Sequence, residues 1–595
     1  MWVRTTLGFL LLLACTATGL PTRSTPIAPP VSPPADLSIT PEDVVLYPLP
    51  VPGTGGRWLF YRGDLLSFDV TPRSLSDIPP QDLTVRIYRL RGAERECLAE
   101  GAVSYPTFDG VPRARLTWVW DTRDAGGRET IVVHLDPDDR VQVGDKDPAN
   151  NVVTLTVRFI ADGARPVPEA ATWAMTTTDC CVIHYLTCTR AERDLAMLPD
   201  AANRAVAFVQ DRLGTRLASP LEVYFIGRVL GQGGYAREGI VLSYLDRLYT
   251  GTDLEIVLRH EAVHVLDASL IGPATPALLR EGLAVWVAGG HYWPESIPSQ
   301  AGALVRLNRY IPLAQLAEDF YLHQHEIGYL EAAALVAYLV ETYGWDEFLA
   351  FYRRAGEEGA PPADALDRAL RSFGVRLEEV ETAFQAWLSG QPTTPEQMRG
   401  LELTVRLFDT IRRYQRTYDP SAYFLSGWFP DPAEGKRRGI VADFLRRPST
   451  VRAVAIELLL VSAQESLQRG ALDQATFLID GAERALDGDF SAPPASEYLA
   501  IARAVAARGG EAHRVELERD EARVWVTPIW VTPKGDGAIC PSPQIWVLRR
   551  TDATWVRSIR DRERHPSRPM MTVWRRKMGL QTLLFRPVGL EYSHG

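Results

Sequence analysis

Apolar positions divide the chain into four stretches of different pattern. Between about residues 43 and 160 they form short β-rich runs, Leu59 to Val70, Leu83 to Leu90, Ala114 to Trp120, Ile131 to Leu135 and Val152 to Phe159, divided by Gly, Pro and Asp turns. That spacing predicts an all-β sandwich. From about 168 to 390 the pattern mixes periods. Cys181 to Tyr185, Leu221 to Ile226 and Gly239 to Tyr244 read as strands, while Ala191 to Leu213 carries Leu195, Leu198, Ala202, Ala205, Val206, Val209 and Leu213 at helical spacing. Beyond these the period is mainly helical to Leu388, which predicts an α+β domain with a small mixed sheet and a helical lobe. From 393 to 510, Glu396 to Tyr418 and Ser449 to Leu486 are helical, with a turn near Gly470 and Asp473. From 512 to 595, Val515 to Leu517, Ala522 to Val531 and Gln544 to Leu548 predict a small β-rich unit. The fold class is multidomain: sandwich, α+β domain, helical domain, small α+β C-terminal unit.

One stretch breaks the ordinary pattern. Thr252 to Asp267, TDLEIVLRHEAVHVLD, is apolar nearly all round yet carries His260, Glu261 and His264. Thr252 and Glu255 fit a capping box, and neither Gly nor Pro intervenes before Gly272. On a helix, positions i and i+4 share one face, so both imidazoles point the same way. Burying that patch unpaired costs several kcal/mol. A Zn²⁺ ion held by His260 and His264 compensates for it, with Glu261 beside the ion as general base. A third protein ligand is then required. Asp267 lies on the same helix, seven residues after His260, which suits tetrahedral closure poorly. Glu281, in LREGLAVW on the next predicted helix, approaches from another direction and is the expected ligand.

Composition sets the surroundings of this motif. The chain has 595 residues and a net charge of −10 without a dominant basic block, which argues against nucleic acid as a partner. Arg4 and the apolar run Leu7 to Leu13 read as a secretion signal over residues 1–14, too short to span a bilayer. Residues 15–42, with Pro at 21, 26, 29, 30, 33, 34 and 41, read as a semi-rigid tether. The order Leu12-Leu13-Ala14-Cys15 resembles a bacterial lipobox, which implies lipidation of Cys15. The expected location is therefore outside the cytoplasm, on the cell surface or in the periplasm, as a membrane-anchored lipoprotein.

Three other clusters carry weaker signals. Asp136, Asp138, Asp139, Asp145 and Asp147 could bind Ca²⁺ but read better as a solvated turn with Asx caps. Cys180, Cys181, His184 and Cys188 match no structural zinc spacing and read as buried thiols, with a Cys181–Cys188 disulfide as the alternative. Trp525, Trp530, Trp546 and Trp555 read as core.

The motifs together carry two resemblances. Trp118-Val119-Trp120-Asp121-Thr122 with Asp136-Pro137 and Asp147-Pro148-Ala149-Asn150-Asn151 resembles bacterial cell-adhesion sandwich domains of the CARDB group. HEAVH followed by REGLAVW, with Gly-Gly-Tyr-Ala before a strand and a Tyr-x-x-Ala helix running into Tyr343-Gly344, resembles the gluzincin metallopeptidases, and more narrowly the bacterial peptidase MA-like domains. That likeness implies hydrolysis of peptide bonds by zinc-activated water, with Glu261 as base and Tyr329 as donor to the oxyanion; Tyr321, His323 and His325 are the alternatives to Tyr329. It implies that Gly239, Ile240, Val241 and Leu242 form the edge strand that pairs with a peptide or protein substrate. No Gly-x-Met-Glu-Asn segment, the aminopeptidase feature of this clan, stands at Arg237 to Leu242, so an endopeptidase, or a peptidase of open end-specificity, is expected. The alternative is a non-catalytic peptide-binding or adhesion lipoprotein with a peptidase-like fold.

Overall fold

A computed structural model describes residues 36–51, 58–74, 79–140, 145–160, 171–231, 233–292 (apart from 271–274), 294, 296–356, 361–446, 450–528, 540, 542–551 and 554–557. The secretion signal, Cys15 and the first part of the tether lie outside these residues.

The sandwich has eight strands: β1 (Val44–Tyr47), β2 (Leu59–Tyr61), β3 (Leu65–Val70), β4 (Thr84–Arg91), β5 (Glu94–Ala102), β6 (Ala114–Asp121), β7 (Arg128–Leu135) and β8 (Val152–Ile160). They form a three-stranded sheet, β1-β3-β6, facing a five-stranded sheet, β2-β8-β7-β4-β5. Alternate residues of β4 and β8 are buried, the period-2 pattern of sheets wet on one face. Phe68, Ile87, Trp120, Val133 and Val157 meet between them. The single run Leu59 to Val70 splits at Gly63, whose φ of 92° only glycine adopts readily, and its halves enter different sheets. β5 opens Glu94-Arg95-Glu96, so its hydropathy hid it. The predicted tether ends early: Leu37 and Ile39 are buried in the sandwich core and Ser38 bridges to Arg73. In the acidic turn, Asp138 is bound by Arg86 and Arg140, and Asp147 caps Ala149.

The next unit is built on a five-stranded sheet of β9 (Trp173–Thr177), β10 (Cys181–Leu186), β11 (Leu221–Ile226), β12 (Gly234–Ala236) and β13 (Ile240–Ser243), in the order β12-β13-β11-β10-β9. β10, β11 and β13 are parallel, and the flanking strands are antiparallel. The helices are α1 (Arg190–Arg193), α2 (Leu198–Leu213), α3 (Leu254–Leu270), α4 (Ala277–Ala288), α5 (Ile297–Arg306), α6 (Leu313–Glu318), α7 (His325–Tyr343), α8 (Trp345–Ala355), α9 (Pro362–Leu370) and α10 (Leu377–Ser389). One apolar core joins this sheet and these helices.

The helical unit contains α11 (Pro395–Tyr418), α12 (Pro432–Arg437), α13 (Val451–Gln468), α14 (Leu472–Leu486) and α15 (Ala495–Ala506). An antiparallel meander of β14 (Gly510–Leu517), β15 (Glu521–Pro528), β16 (Gln544–Thr551) and β17 (Thr554–Arg557) shares its core, which includes Trp546 and Trp555. Trp525 packs against Arg514, and Trp530 lies outside the described residues. No described helix is long and apolar enough to cross a membrane.

The segment after α11 wedges between the sandwich and the α+β sheet. Trp118 of β6 donates from Nε1 to Asp443 at 2.7 Å, and Arg228 donates to the carbonyls of Ser421, Trp428 and Asp443. Tyr47, Trp118, Tyr224, Trp428 and Phe444 are buried around these bonds. The cysteines are neither buried thiols nor joined as Cys181–Cys188. Cys180 pairs with Cys181, and Cys188 with Cys540, 352 residues away in sequence. Contact at that separation leaves no local trace in spacing. His184 takes part in no metal cluster among the described residues; it stacks on Tyr224 at 4.4 Å and bonds to Glu222 and Lys436.

Candidate metal centre

α3 starts where a carboxylate can cap it. Asp253 Oδ1 accepts from the backbone N–H groups of Glu255 and Ile256 at 2.9 and 3.0 Å. The cap is thus Asp253 and not the predicted Thr252–Glu255 box; an Asp side chain satisfies the same orphan donors, which frees Glu255 to pair with Arg259 at i+4, 2.6 Å away. α3 then runs beneath β12 and β13, and His260, Glu261 and His264 come to lie on its buried side.

α4 brings the third group. Its Gly282 faces α7 so closely that a Cβ there would stand 2.6 Å from the Ala332 carbonyl oxygen. Only glycine permits that approach, and it places the neighbouring Glu281 against α3. Glu281 Oε2 lies 3.3 Å from His260 Nε2 and 3.2 Å from His264 Nε2, and the two nitrogens are 3.1 Å apart. Zinc bonds of about 2.0–2.1 Å at tetrahedral angles separate donor atoms by about 3.3 Å, so three donors stand where an ion requires them. The chemistry of the set also fits. Two imidazole nitrogens converging with a carboxylate oxygen in a buried site leave lone pairs facing one another, and a divalent cation satisfies all three. Asp267 is turned elsewhere and accepts from the Tyr352 hydroxyl at 2.9 Å.

Glu281 is held from behind. Its Oε1 accepts from the Tyr321 hydroxyl at 2.8 Å, and that hydroxyl accepts in turn from Arg280 at 2.8 Å. Tyr321 therefore orients the carboxylate, a role that outer partners of metal ligands commonly fill. Tyr321→Phe removes the bond while keeping the ring. It is expected to weaken zinc affinity about 10- to 100-fold, as read by competition with a chelating dye.

Glu261 is 5% exposed. Burial, reinforced by the Glu281 charge and opposed by His260, pushes its carboxyl up to about 7. It lies close to β12: a Cβ on Gly234 would come within 3.4 Å of Glu261 Oε1. Tyr329, on α7, is buried at the same place. Its ring is 6.2 Å from that of His260 and stacks on His291 at 4.5 Å. The Tyr321 hydroxyl, by contrast, is committed to Glu281 and Arg280. His325 packs 4.8 Å from Tyr329, and burial drives its pKa down to about 3. His323 lies just ahead of α7, with Nε2 buried and without a hydrogen-bond partner.

The strand expected to pair with substrate is not at the sheet edge. β13, which holds Ile240, Val241 and Leu242, is interior to the sheet, between β12 and β11, and these side chains are at most 3% exposed. Gly239 packs against the Glu222 backbone. The edge is β12. Gly233 pairs with Ser243, and Arg237 with Gly239, through backbone bonds. Because hydrogen-bonded residues alternate in an antiparallel ladder, the N–H and C=O groups of Gly234 and Ala236 face outward. A three-residue strand containing Gly carries no period to read, which hid it. His291 also escaped the sequence reading, since a lone His after Gly-Gly carries no motif. A further group of potential ligands, Cys188, Glu192 and Cys540, is spoken for by the disulfide.

No family model matches the chain, and no curated protein matches it. Among solved structures it is similar to a CARDB domain from Pyrococcus furiosus, crystallised in complex with di-metal ions. That likeness has 18% identity over 22% of this chain and 100% of that one, with a TM-score of 0.16. It is also similar to the M1 zinc metallopeptidase from Deinococcus radiodurans, at 13% identity over 60% of this chain and 96% of that one, with a TM-score of 0.27. A mutant two-domain M1 zinc metallopeptidase bound to L-arginine matches at 13% identity over 61% of this chain and 98% of that one, with a TM-score of 0.26.

Proposed function

We infer that this chain is a zinc-dependent peptidase that cleaves internal bonds of extended peptides, tethered outside the cytoplasm through Cys15. The observation that carries the reading is the triangle of donor atoms from His260, His264 and Glu281, 3.1 to 3.3 Å on a side, with Glu261 beside it. Zinc bound there supplies a Lewis acid that makes water a better nucleophile at neutral pH.

The residues divide the remaining work. The outward N–H and C=O groups of Gly234 and Ala236 pair with the substrate backbone and hold it extended, as in β-augmentation. Gly234 leaves room between that backbone and Glu261. The Glu261 carboxylate accepts the proton of the attacking water and delivers it to the leaving amine nitrogen. Burial of His260, Glu261 and Glu281 keeps bulk water away and strengthens each charge interaction. The Tyr329 hydroxyl donates a hydrogen bond to the carbonyl oxygen as negative charge develops there. Tyr329→Phe is expected to lower kcat by about 10²–10³-fold with KM nearly unchanged, in steady-state assays of the best substrate.

A library of unblocked and end-blocked peptides tests the reading. Cleavage of internal bonds that stops on chelation and returns with zinc supports it. Failure to cleave any peptide with one zinc bound per chain leaves the binding-only alternative.

A further inference from the structure

The sandwich sends one loop into the neighbourhood of the metal centre. Between β5 and β6, Asp109 pins the turn: its carboxylate accepts from Thr107 at 2.7 Å, from the Val111 N–H at 3.0 Å and from Arg113 at 2.6 and 2.8 Å. Burial opposes that charge, yet the Arg113 guanidinium and these donors hold the Asp109 carboxyl down at about 2. The Asp109 N–H also donates to the Leu425 carbonyl, fixing the loop to the segment after α11. Phe108, at the tip, is nevertheless 49% exposed. A lone exposed apolar side chain is ordinary on a protein surface, so a role for Phe108 must come from what it packs against.

Its covered face supplies one. Phe108 stacks on Phe424 at 5.1 Å with ring planes 9° apart, and meets Tyr321 at 4.7 Å. Phe424 stands edge-on to His325 at 4.5 Å, and His325 adjoins Tyr329. These aromatic rings form a continuous wall from the sandwich surface to Tyr329, and Tyr321 connects the wall to Glu281. The wall meets the substrate edge at Gly231, three residues before β12, where a Cβ would touch the Phe424 ring at 3.3 Å.

We propose that Phe108 and Phe424 form a specificity subsite that takes a large apolar side chain, aromatic or leucine-like, of a peptide lying along β12. The sandwich is then part of the substrate-binding machinery. The inference rests on the peptidase reading. An extended peptide turns alternate side chains to opposite faces, so one residue near the scissile bond faces the wall. Burying a leucine- or phenylalanine-sized side chain gives roughly 10- to 200-fold selectivity over a small one.

The test uses the full-length, zinc-loaded protein and two peptides that differ only at the position the cleavage profile marks as apolar, Phe in one and Ala in the other. The wild type is expected to favour the Phe peptide at least tenfold in kcat/KM. Phe108→Ala, at a half-exposed site, is expected to keep its zinc content and Tm. It should lose about tenfold in kcat/KM on the Phe peptide and less than twofold on the Ala peptide, with Phe108→Leu retaining most of the preference. Phe424→Ala should move selectivity the same way. Cleavage without any apolar preference, a Phe108→Ala enzyme that keeps the full preference, or equal losses on both peptides would overturn this inference and leave the peptidase reading standing. Cleavage of no peptide by the zinc-loaded wild type would overturn both.

Discussion

Glu261→Gln is expected to abolish peptide cleavage, by about 10³-fold or more in kcat, while one zinc per chain remains bound. The side chain reaches into the space under β12 and makes no part of the donor triangle. The amide has nearly the volume of the carboxylate, so packing around α3 is conserved. What disappears is the acceptor that the proposed mechanism uses to take the proton of the attacking water and return it to the leaving amine. General acid–base groups contribute about 10²–10⁴-fold, and a 10³-fold loss corresponds to about 4 kcal/mol of barrier. Metal analysis and single-turnover cleavage on one preparation check both halves. Activity within tenfold of wild type would remove Glu261 from the mechanism. Loss of zinc along with activity would make its role structural.

The second large effect is on the metal itself. His264→Ala and Glu281→Ala should each lower zinc affinity by several orders of magnitude, leaving substoichiometric metal after dialysis and no cleavage. Each deletion takes one corner from the triangle and leaves two donors, one short of the three protein ligands that a catalytic zinc site uses. Tyr321→Phe should give a much smaller loss, because it releases the Glu281 carboxylate without removing it. That ranking separates ligands from the residue that orients one of them. Equal effects of all three substitutions would point to a general collapse of the α3–α4 contact. Circular dichroism and Tm, expected to stay near wild type for Tyr321→Phe, distinguish the two cases.

The centre of the molecule was readable because its signals are local or nearly so. Two histidines one turn apart on an apolar helix define a face. Glu281-Gly282 carries both the expected ligand and the glycine that α7 requires against α4. The predicted order of sandwich, mixed sheet and helices likewise follows periods visible within about 10 to 20 residues. What escaped reading depends on partners distant in sequence. Whether β13 or β12 lies at the edge is a matter of sheet order, and a short strand with Gly at its start has no amphipathic signature. The Cys188–Cys540 pairing and the wedge formed by Trp428, Asp443 and Phe444 join residues more than 200 positions apart. Asp253 displaced Thr252 as the helix cap because both side chains suit the position and the backbone entering the helix decides between them. Phe108 was invisible as a functional residue for the same reason: nothing near it in sequence speaks of Phe424, Tyr321 or the metal centre.

The most direct test of the central claim is an anomalous difference map at the zinc absorption edge, from crystals of the protein grown with one equivalent of zinc. It should show a single strong peak about 2.0–2.2 Å from His260 Nε2, His264 Nε2 and Glu281 Oε2. A map with no peak among these three atoms, or with its zinc bound elsewhere, would contradict it.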